Sequence, residues 1–217
     1  YDVMTEEMPK SGELSLEMMY QTCGTQINLD YTSESDFKKK FKIISFLTPL
    51  TIALFSNSPI KKNTPTGLLS YRSKVWQSTS RGGLPDIFLE DMDFEKYADF
   101  SLNFNLLFLF ENNRYNWANG KNFQDLINEQ KANSENLQLH LSTIFTELRL
   151  KKYIELRSID ACEWDCHCAS PAFFTGLLYG ALDETYDLIK NWNKLDIKQA
   201  YTTSYKDGLN VMINEKD

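Results

Sequence analysis

The sequence predicts an α+β fold, in which an antiparallel sheet carries a functional site on one face and packs helices on the other. Three observations lead there. Residues 24–31 alternate Thr25, Ile27 and Leu29 with Gln26, Asn28 and Asp30, the period of a strand with one apolar and one polar face. Residues 149–157 set Leu150, Ile154 and Leu156 against Tyr153, Glu155 and Arg157 in the same way. Between and after these two strands, apolar residues recur at helical spacing over segments of mixed length.

Taken in order, residues 1–20 read as irregular, because Pro9 and Gly12 break an early helix and leave only a helical turn over 14–20. Ser33 followed by Asp36 resembles a capping box, and it opens a helix over 34–55 with Phe37, Phe41, Ile44 and Leu47 on one stripe and a kink at Pro49. Residues 57–65 are rich in turn formers, and 77–85 form a flexible loop holding Arg81, Gly82 and Gly83. A helix over 93–102 precedes a buried strand over 105–110 and a turn at Asn112 and Asn113. Asn122 caps a short helix to 128, and 137–148 read as helical. After the late strand, Ser170 and Pro171 mark the start of a long amphipathic helix to Trp192.

With 42% hydrophobic and 13% aromatic residues, 217 residues suffice for a sizeable core. A formal net charge of −7 gives the surface the wrong sign for nucleic acid or anionic lipid, so the expected partners are small molecules, with no nucleic acid and no membrane. No run approaches the eighteen or so apolar residues of a membrane span. Cys162, Cys166 and Cys168 are too crowded for the framework of a small secreted domain, which favours a reducing, cytoplasmic setting; the oligomeric state is not legible. The adjacency of His167 and Cys168 also argues against a zinc site built from this cluster, leaving a buried or idle thiol as the expected role of Cys168. Tyr1 and Asp217 read as the cut ends of an internal piece.

The ordered segments MMYQTCGTQINLD (18–30), ALFSNSP (53–59), GLLSYRSKVW (67–76), RGGLP (81–85), HLSTIFTELRLKKYIELRSID (140–160), PAFFTGLLY (171–179) and YKDGL (205–209) resemble glutamate–cysteine ligases of the plant and alphaproteobacterial type. The resemblance covers nearly the whole chain. It implies that residues 1–217 are the central and C-terminal part of one catalytic domain with a glutamine-synthetase-like fold. It also implies ATP-dependent joining of glutamate's γ-carboxylate to cysteine's amine through a γ-glutamyl phosphate, with ATP and Mg2+ required and glutamate, cysteine and ATP as partners.

Residue by residue, the resemblance places Gln26 and Asn28 near metal and nucleotide, where amide oxygens ligate without adding charge. The residues alone read equally as an amide pair satisfying backbone groups. Arg72, in SYRS, matches an arginine that grips the substrate glutamate through its planar fork, with Tyr71 and Trp76 beside it; Trp76 reads equally as a core residue. Arg81 matches an arginine of a phosphate-approaching loop, although Gln77–Ser80 replaces that loop's acidic residues and Gly82 follows directly. Glu155 is assigned to metal and Arg157 to phosphate or substrate, against the alternative of a cross-strand ion pair. Two other readings stay open: a related ligase with a different amine acceptor, and a non-catalytic thiol- or metal-binding module on a decayed ligase core.

Overall fold

The computed structural model describes residues 2–213. Residues 2–11, expected to be irregular, are helical: α1 (Asp2–Glu7) runs into a 3₁₀ turn that accepts Pro9 at its start, where no N–H is needed. Helix α2 (Ser15–Gln21) leads into β1 (Gly24–Leu29), whose Ile27 and Leu29 are buried while Gln26 and Asn28 are exposed. Alternation alone therefore placed this strand and its faces.

Helix α3 (Glu34–Leu54) is capped by Ser33, whose side chain accepts from the Asp36 N–H, and it contains Pro49. A small hairpin, β2 (Ile60–Lys61) and β3 (Thr64–Pro65), turns through Lys62 and Asn63 at positive φ. Helix α4 (Tyr71–Gln77) starts at Ser70, which accepts from the Ser73 N–H. Helix α5 (Phe94–Asn103) begins after its cap Asp93. The strand expected at 105–110 is β4 (Phe108–Glu111), and the Asn112–Asn113 turn returns it as β5 (Arg114–Trp117). Asn122 and Asp125 form a full capping box on α6 (Phe123–Asn128).

Three expectations are corrected downstream. The helix read over 137–148 is α7 (Ser134–Ser142), and by Leu148 the chain is already in a strand. The single strand read over 149–157 is a hairpin of β6 (Leu148–Leu150) and β7 (Ile154–Asp160), tied by pairing of Arg149 with Glu155 and Leu150 with Ile154. Helix α8 (Trp164–Thr175) starts well before Pro171 and passes through a π turn at 176–180 into the separate α9 (Leu182–Ile189); α10 (Lys194–Asp207) follows.

Among the described residues the principal sheet has three antiparallel strands in the order β1-β7-β6. The central β7 is buried along its whole length. A β-bulge breaks the β1–β7 register between Thr25 and Ile27, shifting the alternation so that Ile159 joins the core after Leu156. One face of the sheet presents Ile27, Leu29, Leu148, Ile154 and Leu156 to Phe37, Phe41 and Ile44 of α3, and α9 and α10 close the far side of that helix. A second cluster of Met8, Met18, Val75, Trp76 and Leu107 lies apart from it. The α+β class with an antiparallel sheet thus holds. No described helix is long and apolar enough to cross a membrane.

Candidate active site

A cavity of about 400 Å3 gathers residues from distant parts of the chain: Gln26 of β1, Arg72 and Trp76 of α4, Arg157 of β7, and Phe145 before β6. Helix α4 is brought there by the end of β7. The Asp160 carboxylate accepts from Ser70 Oγ at 2.9 Å, Ser58 Oγ at 2.7 Å and the Asn57 N–H at 2.8 Å, while Ser58 Oγ accepts from the Arg72 N–H at 3.0 Å. One carboxylate thus fixes both the loop before α4 and the start of the helix.

The Arg72 side chain crosses Gly24, where a Cβ would lie only 2.6 Å from Arg72 Nε and 2.8 Å from the Ile159 carbonyl. Glycine is needed there for close approach. Arg72 Nη2 donates to the Arg157 carbonyl at 2.6 Å. Arg72 and Arg157 both lie against the Trp76 ring, at 4.8 and 5.2 Å from its centroid. Trp76 Nε1 in turn donates to Thr22 Oγ1 at 3.3 Å.

The arginines are 4% and 5% exposed, yet Nε and Nη1 of Arg72 and Nε of Arg157 have no hydrogen-bond acceptor among the described residues. A buried donor left unmade costs about 1–3 kcal/mol, and more when charged, so the fold carries such a penalty beside the cavity. Burial, followed by the charge of Arg149, lowers the pKa of Arg157 from its ordinary value.

The other predicted site residues lie apart from this cavity. Arg81 is 5% exposed, but its donors are occupied: Nε and Nη2 reach the Thr143 carbonyl at 3.2 and 2.9 Å, and Nη1 reaches the Asn105 carbonyl at 2.9 Å. Burial lowers its pKa to about 10. The loop expected to be flexible is therefore anchored. Its glycines have packing reasons, since a Cβ on Gly82 would meet the Trp76 carbonyl at 2.6 Å and Gly83 sits at φ +77°. Tyr71 donates to Glu17 and accepts from Lys61, each at 2.6 Å, outside the cavity lining. Asn28 is exposed on β1, opposite Glu155.

Glu155 accepts from Lys151 at 2.9 Å, from Arg149 at 2.7 Å and from Arg157 at 2.9 Å. Burial raises its pKa, but these bonds and charges outweigh it and leave the pKa below the ordinary value. A carboxylate holding three cations does not fit Mg2+, which needs oxygen ligands with free lone pairs. Among the described residues no group of three or more acidic, histidine or cysteine side chains could hold a metal ion, so no step is assigned to a metal here.

The crowded cysteines also differ from expectation. Cys162 and Cys166 form a disulfide with Cα atoms 5.8 Å apart, and of the two roles expected for Cys168 the buried one is excluded, since its thiol is free and exposed. His167 Nδ1 is paired with Thr25 Oγ1 at 2.8 Å.

Sequence reasoning missed Gly24, although it stands in the quoted 18–30 segment, and it missed Glu147. Glu147 is fully buried, and its Oε1 accepts from Tyr201 Oη of α10 at 2.9 Å. Burial raises its pKa, against the nearby charge of Arg72.

The family profile described as glutamate–cysteine ligase family 2 (GCS2) matches residues 1–210. The chain is 36% identical to the chloroplastic glutamate–cysteine ligase of Solanum lycopersicum, over 96% of this chain and 44% of that protein. It is 38% identical to the chloroplastic glutamate–cysteine ligase B of Oryza sativa subsp. japonica, over 88% of this chain and 41% of that one. The chloroplastic enzyme of Arabidopsis thaliana is 37% identical, over 96% and 44%. The chain thus spans less than half the length of these relatives. Their chloroplastic names overturn the cytoplasmic expectation, which rested on cysteine spacing alone.

Proposed function

The chain belongs to the glutamate–cysteine ligase family 2, and from that premise we propose that it carries the anion-gripping wall of an ATP-dependent ligase joining glutamate's γ-carboxylate to the amine of cysteine, the first step of glutathione synthesis. The observation that carries this reading is the pair of buried arginines, Arg72 and Arg157, which line one cavity and keep cationic N–H groups without an acceptor among the described residues. A carboxylate offers paired oxygens to a guanidinium fork, which suits Arg72 and Arg157 to glutamate.

In the proposed reaction a γ-carboxylate oxygen attacks the γ-phosphorus of ATP, ADP leaves, and the resulting acyl phosphate is attacked by the cysteine amine. Phosphate departs and the amine loses a proton. Negative charge develops at both steps, and preorganised guanidinium groups in a partly closed cavity stabilise it without reorganisation. Trp76 fixes both cations from one side, and Gln26 offers an uncharged amide at the rim. In this reading Arg81, Tyr71 and Glu155 are structural, because their polar atoms are occupied by protein partners. We further propose that the three-stranded sheet belongs to a glutamine-synthetase-like catalytic fold, a reading supported by its division into a helix-packed face and a cavity face. The chloroplast is the compartment this reading favours, by likeness to the named relatives.

Phosphate release from ATP by the intact protein tests the proposal, with glutamate and cysteine each present or omitted. Release requiring both is expected. Release that needs glutamate but ignores cysteine moves the reading to a ligase with another acceptor, and no release under any condition overturns it.

A further inference from the structure

Asp160 ends β7 opposite Gly24 of β1 and is 2% exposed. A carboxylate buried this deeply is costly unless both its oxygens and its charge find partners. Its oxygens are met by neutral donors, Ser70 Oγ on Oδ1 and Ser58 Oγ with the Asn57 N–H on Oδ2. Its charge is met by Arg72. Among the described residues, Arg72 Nη1, 3.9 Å from Oδ1, is the one cation within ion-pair distance of Asp160, and Asp160 is the one carboxylate within that distance of Arg72.

At 3.9 Å the two groups are too far apart for a hydrogen bond but near enough to attract strongly, with water kept from both. Arg157 is held differently, since its Nη1 donates directly to Glu155 at 2.9 Å. Asp160 therefore balances the charge of Arg72 without taking one of its donors.

The same carboxylate also reaches Arg72 through the backbone. Ser58 Oγ, held by Oδ2, accepts from the Arg72 N–H at 3.0 Å, and Ser70 Oγ, held by Oδ1, accepts from the Ser73 N–H at 3.0 Å as the cap of α4. The guanidinium is otherwise confined by neutral groups: the close approach at Gly24, the Trp76 ring at 4.8 Å, and the Arg157 carbonyl that accepts from Nη2 at 2.6 Å. Asp160 is the charged member of that enclosure, and it governs both ends of the arginine.

We propose that Asp160 is a positioning residue for Arg72: its charge and its two serine contacts hold the guanidinium at the cavity wall in the place where it grips the anionic group of the substrate. It does not touch the reacting atoms. The choice of glutamate as that substrate rests on the ligase reading; the placement of the guanidinium by Asp160 does not.

The test uses the intact protein with Asp160→Asn, Arg72→Ala and the double variant. Asparagine has the same shape, its amide oxygen can keep the Asn57 and Ser58 bonds, and the Ser70 hydroxyl has Ser73 Oγ at 2.9 Å as another acceptor, so the substitution removes the charge and spares most of the scaffold. In glutamate-dependent phosphate release, Asp160→Asn is expected to lower kcat/KM for glutamate about tenfold or more while KM for ATP changes less than about threefold. Added to Arg72→Ala, the same change is expected to alter kcat/KM less than about twofold, because a residue that acts through Arg72 then has nothing to act on. Equal factors in the two backgrounds, an unchanged kcat/KM, or losses for both substrates that track a fall in Tm would each overturn the proposal. Crystal structures of the unmodified protein and of Asp160→Asn supply an arm independent of the ligase reading. The Arg72 guanidinium is expected to leave the Trp76 face or to lose its bond to the Arg157 carbonyl, and a guanidinium that stays in place overturns the proposal. Should no form of the protein release phosphate, the ligase reading fails, and the position of the guanidinium alone decides.

Discussion

Arg72 and Arg81 sit nine positions apart, are 4% and 5% exposed, and both lie against an aromatic ring, yet they have opposite relations to their surroundings. Arg81 meets two backbone carbonyls and stacks on Phe104, and its fork is filled by the protein. The Arg72 side chain lines a cavity, makes one hydrogen bond, to the Arg157 carbonyl, and keeps two nitrogens without acceptors. Neither burial nor residue type separates an arginine whose fork the protein fills from one whose fork it leaves open. The account of its N–H groups does.

Substitution sharpens this contrast most at the two arginines themselves. Arg72→Ala is expected to lower kcat/KM for glutamate-dependent phosphate release about thousandfold, roughly 4 kcal/mol, with a smaller fall in Tm than Arg81→Ala, because it orphans one backbone carbonyl rather than two. Arg81→Ala is expected to cost about 4 kcal/mol of stability by orphaning the Thr143 and Asn105 carbonyls, while the molecules that remain folded keep their glutamate affinity. An Arg81→Ala protein with normal Tm but a raised KM for glutamate would break the comparison.

Glu155 extends it to the carboxylates. Its depressed folded pKa means that its stabilising contribution is present above the unfolded value near 4.3 and is lost as pH falls through the folded value. Glu155→Gln is therefore expected to cost about 3 kcal/mol at pH 7, and the gap to the unmodified protein in urea unfolding should close below about pH 4. A gap that stays constant down to pH 3 would show that charge is not the cause. The smallest effect is expected at Asn28, whose exposed amide on β1 should be replaceable by alanine within about 0.5 kcal/mol and without a change in KM.

Local chemistry in the sequence identified much of the scaffold. Ser33 and Asn122 each cap the helix expected of them, and the Gln26/Asn28 alternation found the exposed face of β1. The β6–β7 hairpin was missed because Lys151, Lys152 and Tyr153 include none of the usual turn formers. The helix at 137–148 was overrun for the same reason, since nothing from Thr143 to Glu147 breaks a helical pattern. Gln26, Arg72, Trp76 and Arg157 were singled out through family resemblance, and the cavity brings these four together. Glu147 escaped because its meaning lies in a bond to Tyr201, 54 positions away, which no local pattern encodes.

The strand pairing that builds the cavity has a kinetic side. Gly24 meets Asp160 and Leu29 meets Ile154 across most of the chain, whereas Leu150 meets Ile154 within a few residues. Closing a long loop is entropically slow and closing a short one is not. The β6–β7 hairpin, with its Arg149–Glu155 pair, can therefore assemble early, while the wall formed by Gln26, Arg72 and Arg157 must wait for β1 to dock. The repulsion between the paired guanidinium groups is therefore met only when β1 docks, after the local hairpin has formed.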